Sequence, residues 1–197
     1  MVNTSTITVS YGGETDTFEV TVSTHLLYSL ENRAFSSETI TTDLNLCETD
    51  HDFSIAGDFT LTSSPPSGNG SGYRFIALVN TAGDGYSITL GKGTGSATTY
   101  AMGFMGTTTA SISSVGTGRH RFVYTHKSGS GKANLKIRKD TGTASSYSAS
   151  GTFAASTRAL SLGQGSTTNV LPTGTINKVY VYDVVMTSDQ IDDFLGL

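Results

Sequence analysis

The chain has 197 residues, of which 23 are glycine and 3 proline, with one cysteine, no tryptophan and a formal net charge of −4. A single cysteine excludes an internal disulfide and any cysteine-based metal cluster, and no apolar run approaches membrane-spanning length. Gly-, Ser- and Thr-rich, Pro-poor composition predicts many short strands joined by tight turns, an all-β chain of ordinary domain size.

The charge is unevenly spread. Residues 1 to 58 carry ten acids against the single base Arg33, whereas 119 to 139 hold seven bases and no acid. The basic stretch is suited to attract an anionic polymer or the acidic half of a neighbouring molecule, so the two segments form a complementary pair for association between copies or with another protein. The basic stretch is expected mainly as a solvated outer sheet face whose lysines discourage edge pairing. Nucleic-acid binding is not expected, because the isoelectric point is near 5.4 and no recognised motif accompanies the basic stretch. The first residues lack the basic and apolar regions of a signal peptide. The expectation is a chain outside the general secretory route, or a piece of a longer one.

In chain order, "TITVSYGGETDTFEVTVS" alternates apolar and polar residues around Gly12-Gly13, which predicts a β-hairpin over residues 1–23. It resembles the last two strands of bacterial immunoglobulin-like repeats, which occur in surface proteins and in phage tail and capsid proteins. Such a hairpin is marginal alone and needs a partner for its apolar face. Residues 24–35 read as a connector, and 36–197 as the main domain. In "DFSIAGDFTLT", period two sends Phe53, Ile55, Gly57, Phe59 and Leu61 to one face and Ser54, Ala56 and Asp58 to the other, a half-buried strand.

A loop over 63–72 precedes three candidate strands, "YRFIALVN", "GYSITLGKG" and "TTYAMGFMG". The clearest hairpin joins "RHRFVYTHK" to "KANLKIRKD", hiding Ala133, Leu135 and Ile137 and exposing Lys132, Asn134, Lys136 and Arg138. His120 and His126 share parity with Phe122 and Tyr124 and are expected on a semi-buried face. "INKVYVYDVV" is a further strand whose Tyr180 and Tyr182 are assigned to the core. Thr187 and Gln190 have capping-box spacing before a short helix with the stripe Ile191, Phe194 and Leu195.

The stretches "TTDLNLCETDHDFSIAGDFTL", "GRHRFVYTHKSGSGKANLKIRKD", "LSLGQG" and "GTINKVYVYDVVMTSDQI" together resemble the laminin-G-like branch of the concanavalin-A-like lectin/glucanase superfamily. The resemblance implies a two-sheet antiparallel jelly-roll sandwich with a short C-terminal helix. It implies no activity, because that superfamily hosts sugar-binding modules, protein-binding modules and hydrolases alike.

The hydrolases of that superfamily carry Glu-x-Asp-x-x-Glu or Glu-x-Asp-x-Glu on a concave-sheet strand. Retaining cleavage needs two carboxylates about 5 Å apart. Glu48 and Asp50 fit the first half of the motif, but Asp52 or Phe53 stands where the second glutamate belongs. Strand parity turns Phe53 inward, so the run reads as a polar entry loop and a glycoside hydrolase is the minor alternative.

Calcium is the one cofactor that the acidic run suggests, with Asp50 and Asp52 as candidate ligands alongside Asn80 and Asp84. Cys47 reads as a small buried hydrophobe. The candidate ligand-binding residues are Tyr73, Asn80, Asp84, Tyr86 and Tyr100, aromatics beside turns with a few placed polar groups. The expected function is non-catalytic recognition of a host-surface carbohydrate, outside the cell, as part of a phage tail fibre or other virion protein or on a bacterial surface. The alternative is a structural module that forms a homo-oligomer or binds other virion proteins. No membrane insertion is expected.

Overall fold

A computed structural model describes backbone and side chains for residues 25–35, 40–63, 116–150, 153, 155, 157, 159–162 and 173–197. It describes strand backbones for 2–11, 14–23, 72–79, 85–92, 98–104, 107–109 and 163–165. β1 (Val2–Tyr11) and β2 (Glu14–Ser23) pair antiparallel from Tyr11↔Glu14 to Val2↔Ser23 as a two-stranded sheet of their own. The stretch expected as a connector instead holds β3 (Leu26–Ala34), which pairs antiparallel with β14 (Gly174–Tyr182). Its Tyr28 and Leu30 pack against the core, and this partial apolar alternation is the strand signal that the stretch carries.

The first of two six-stranded sheets contains β3, β14, β5 (Phe53–Leu61), β10 (Gly118–Lys127), β11 (Lys132–Lys139) and β12 (Ser145–Ser150), in the order β12-β11-β10-β5-β14-β3. The second contains β4 (Ile40–Thr41), β6 (Gly72–Val79), β7 (Gly85–Lys92), β8 (Thr98–Phe104), β9 (Thr107–Thr109) and β13 (Ser161–Gly165), in the order β4-β13-β6-β7-β8-β9. Every pairing is antiparallel. The sheets enclose one apolar cluster that includes Phe53, Ile55, Phe59, Phe122, Tyr124, Leu135, Ile137, Val179 and Val181 of the first sheet and Leu162 of the second. This is the all-β, two-sheet jelly-roll sandwich that the strand pattern predicts, with α1 (Ser188–Leu195) as its short C-terminal helix.

The core face follows parity. Phe53, Ile55, Phe59 and Leu61 on β5 and Ala133, Leu135 and Ile137 on β11 are all at most 2% exposed. Gly57 lies directly across from Phe122, and a Cβ there would come within 2.6 Å of the Phe122 and Phe59 rings, so only glycine lets the two aromatics close over β5.

β5 is not half-buried, however, because on its other face α1 covers Ala56 while Arg119 and Asn177 bond to Asp58. Leu195 is fully buried against Ala56 and Val123, with Ile191, Phe194, Met186 and Tyr180 packed around them. The helix begins with a capping box, in which Thr187 Oγ1 accepts from Gln190 N and Thr187 N donates to Gln190 Oε1, and it ends at Gly196 in the left-handed conformation. Ser54 Oγ donates to Val184 O and accepts from Met186 N, which fixes the approach to the helix on the sheet.

The same helix alters the expected solvated basic face. Lys127 and Lys132 are exposed, but Lys136 pairs with Asp192 on α1, and Arg138 donates to the Leu195 and Gly196 carbonyls at the helix C-terminus. Arg119 grips Asp58 with Nε at 2.9 and 3.1 Å and Nη2 at 2.5 Å. The acidic and basic segments therefore meet inside the chain, across the β5–β10 pair.

Candidate functional site

The acidic run before β5 lies in the loop that spans residues 42–52, where Glu48 is exposed and the Asp50 and Asp52 carboxylates bond to the end of β10 and the β10–β11 turn. Asp50 Oδ1 accepts from His126 Nε2 at 2.7 Å, and its Oδ2 accepts from Gly129 N at 3.0 Å. Asp52 Oδ1 accepts from Ser128 N at 2.8 Å, while Ser128 Oγ donates to Asp50 O. Hydrogen bonds from His126 first and Gly129 second hold the Asp50 carboxyl below its ordinary range. The run is thus a clamp between a loop and a hairpin, with Phe53 as the first core residue of the strand. Among the described residues, no group of three or more His, Cys, Asp or Glu side chains comes together.

His120 and His126 are almost fully buried, on the face their parity predicts, but deeper than semi-buried. His120 Nε2 meets Gly116 O at 3.0 Å, and burial pulls its pKa down to about 4. Cys47 is fully buried, with its thiol pushed up to about 12 by burial.

Among the described residues, α1 leaves a cavity on each flank of the first sheet's outer face. Toward β12 is a cavity of about 360 Å³, lined by Thr125, Asn134, Ser146, Ser148, Lys136 and Asp192, with Val123 and Ile191 supplying apolar surface. Ser148 Oγ donates to Asn134 Oδ1 at 2.6 Å, which orients the amide and keeps its NH₂ as the donor. The sequence hides this site because its members alternate along three strands and converge only once β10, β11 and β12 pair.

Toward β3 is a cavity of about 530 Å³ lined by His25, Tyr180, Tyr182, Met186, Asp193 and Phe194, among others. Tyr180 and Tyr182 were expected in the core, and they lie on the outer face. The register between β14 and β5 shifts between Ile176 and Lys178, so that Ile176, Val179 and Val181 fill the core and the tyrosines turn away. The side chain of Asn177, the extra residue, donates to Asp58 Oδ1 at 2.8 Å and Thr60 Oγ1 at 2.9 Å.

The predicted ligand-binding residues fall on the second sheet and its loops, of which the strand backbones alone are described. Tyr73, Tyr86 and Tyr100 belong to β6, β7 and β8, where Tyr73 and Tyr100 both register with Leu90 and Tyr86 registers with Leu78. Their side chains, and Asn80 and Asp84 altogether, lie outside the described residues.

No protein-family model matches the chain, and no curated protein matches it. Solved structures do resemble it. The CBM40 of the Ruminococcus gnavus IT-sialidase, determined with bound α2,3-sialyllactose, aligns at a TM-score of 0.55 and 14% identity over 87% of this chain and 100% of that one. The leech intramolecular trans-sialidase, complexed with 2,7-anhydro-Neu5Ac, aligns at a TM-score of 0.55 and 12% identity over 87% of this chain but 28% of its own. A GH54 α-L-arabinofuranosidase aligns at 0.54 and 15%, over 86% of this chain and 40% of that one.

The fold is the two-sheet antiparallel jelly roll that these structures share. At these identities the likeness establishes architecture alone, and this chain spans well under half of the two enzymes. Among the described residues, no helix is long and apolar enough to cross a membrane.

Proposed function

We propose that the chain is a non-catalytic carbohydrate-recognition module. The observation that carries this reading is the cavity between β10, β11, β12 and α1. There the Asn134 amide, the Thr125, Ser146 and Ser148 hydroxyls and the Lys136–Asp192 pair surround a small apolar floor of Val123 and Ile191. A pyranose ring presents the complementary surface, with hydroxyls around its rim and C–H groups on its faces, and few placed polar groups on an apolar base are the usual pocket chemistry. The shared fold with a CBM40 that binds sialyllactose, over that module's entire length, supports the same reading. The commitment of Asp50 and Asp52 to the backbone amides of Ser128 and Gly129 argues against a hydrolytic pair.

A second candidate set for the same function is Tyr73, Tyr86, Tyr100, Asn80 and Asp84, of which the three tyrosines belong to strands β6, β7 and β8. The resemblance of residues 1–23 to immunoglobulin-like repeats favours placement outside the cell, on a virion or a bacterial surface, with a host glycan as ligand. Self-association is the competing reading, favoured by the exposed Leu26 and Leu27 on edge strand β3.

A glycan array followed by titration calorimetry tests the proposal. Binding that is lost in Asn134→Ala locates the ligand beside α1, and loss in Tyr73→Ala or Tyr100→Ala locates it on the second sheet. A chain that binds no sugar at millimolar protein, yet forms a stable oligomer by light scattering, is a self-association module instead.

A further inference from the structure

The cavity on the β14 side of α1 has a different chemistry from the polar one. Its walls are aromatic and meet at steep angles. Tyr180 and Tyr182 have centroids 6.4 Å apart at 65°, and Tyr180 and Phe194 have centroids 6.2 Å apart at 72°. A flat sugar ring stacks on an open platform, whereas three rings set edge to face form a corner that surrounds a rounded group.

The polar groups around that corner are mostly acidic. Asp193 lines the cavity, Glu31 accepts from Tyr180 Oη, and Asp183 Oδ1 accepts from His25 Nδ1 at 2.8 Å, while no lysine or arginine is among the residues that line it. The polarizable thioether of Met186 also lines the cavity, adding a soft apolar surface.

We infer that this cavity binds an organic ammonium group, a nitrogen cation dressed in methyl or methylene groups such as choline carries, with the Tyr180, Tyr182 and Phe194 rings facing the alkylated cation and Asp193 balancing its charge. Aromatic faces attract cations through the ring quadrupole, and desolvated alkylammonium groups are the ligands such corners recognise. The hydrogen bond to Glu31, with burial behind it, pushes the Tyr180 hydroxyl up to about 12, and burial raises that of Tyr182. Both rings therefore remain neutral phenols near neutral pH, and donation to a carboxylate enriches the Tyr180 ring further. The inference is independent of the glycan reading, because it concerns the opposite flank of α1 and shares only Met186 with the polar cavity.

The test is an NMR or calorimetric titration of the full chain with choline chloride, set against its uncharged carbon analogue 3,3-dimethylbutan-1-ol. Choline is expected to bind in the millimolar range and the neutral analogue several-fold more weakly. Tyr182→Leu and Asp193→Asn are each expected to weaken choline binding by about three- to tenfold. Asp193 is an exposed rim residue, so Asp193→Asn keeps the test valid if the tyrosine variant does not fold. Equal binding of choline and the neutral analogue, or no choline binding by a chain with an unchanged thermal transition, overturns the inference. Sedimentation with phosphatidylcholine vesicles then distinguishes a lipid headgroup from a soluble choline ester as the natural source of the cation.

Discussion

Asp50 and His126 meet at 2.7 Å across a sequence separation of 76 residues, with the histidine buried and the carboxylate at the edge of solvent. The contact ties the loop before β5 to the end of β10, and Asp50 holds the Gly129 amide with its other oxygen. Asp50→Ala removes the acceptor of a buried imidazole and of a turn amide together. The expected loss is about 1–3 kcal/mol of unfolding free energy by urea titration. An unchanged midpoint would show that the clamp is incidental.

Acid should weaken the fold in two successive windows. Burial first, with Lys139 assisting and the Gly116 carbonyl and Asp140 opposing, lowers His120 from 6.5 to about 4. The unfolded chain therefore binds the proton first, and the stabilisation present above pH 6.5 is lost as pH falls toward 4. Asp50, held below its ordinary 3.8, adds stability that is lost at still lower pH. The thermal midpoint should fall between pH 7 and 4, and His120→Gln should flatten that part of the profile. A profile of equal slope in the variant would remove His120 as the cause.

Asp58 and Arg119 are paired asymmetrically, with side chains 3% and 51% exposed. Removing the arginine strands a buried carboxylate that retains only Asn177, whereas neutralising the aspartate leaves a cation that reaches water. Arg119→Ala should therefore cost about 3–5 kcal/mol and Asp58→Asn about 1 kcal/mol. Denaturant titration of both variants checks the order, and equal costs would contradict the asymmetry.

Cys47 should be silent in the native state. With a fully buried thiol pushed up to about 12, almost no thiolate is present at pH 8, and reagent has no access. Labelling by a disulfide reagent is expected to follow unfolding in urea, and immediate stoichiometric labelling of folded protein would refute the burial.

The sequence carried much of this fold by itself. Phe53 and Ile55 against Ser54, and Ala133, Leu135 and Ile137 against their polar neighbours, declare which side of each strand meets the core, because a strand's side chains alternate whatever surrounds it. Thr187 and Gln190 likewise declare a helix start, because the capping box is completed within four residues. Cys47, alone among polar turn residues, needed only its own chemistry to be read as buried.

Tertiary structure decided what occupies the other side of those strands. Ala56 is buried because α1 returns from the far end of the chain to cover it, and Asp58 because Arg119 and Asn177 close over it, and no local pattern on β5 announces either. Tyr180 and Tyr182 leave the core because one extra residue, Asn177, is accommodated against Asp58 and Thr60, which reverses the parity of everything after it. The acidic run resembles a catalytic signature in sequence and becomes a clamp in space, because the backbone amides of Ser128 and Gly129 reach it only when β10 and β11 fold back beside β5. Local periodicity sets each strand's two faces; long-range pairing sets which face is covered and which polar groups are left to a ligand.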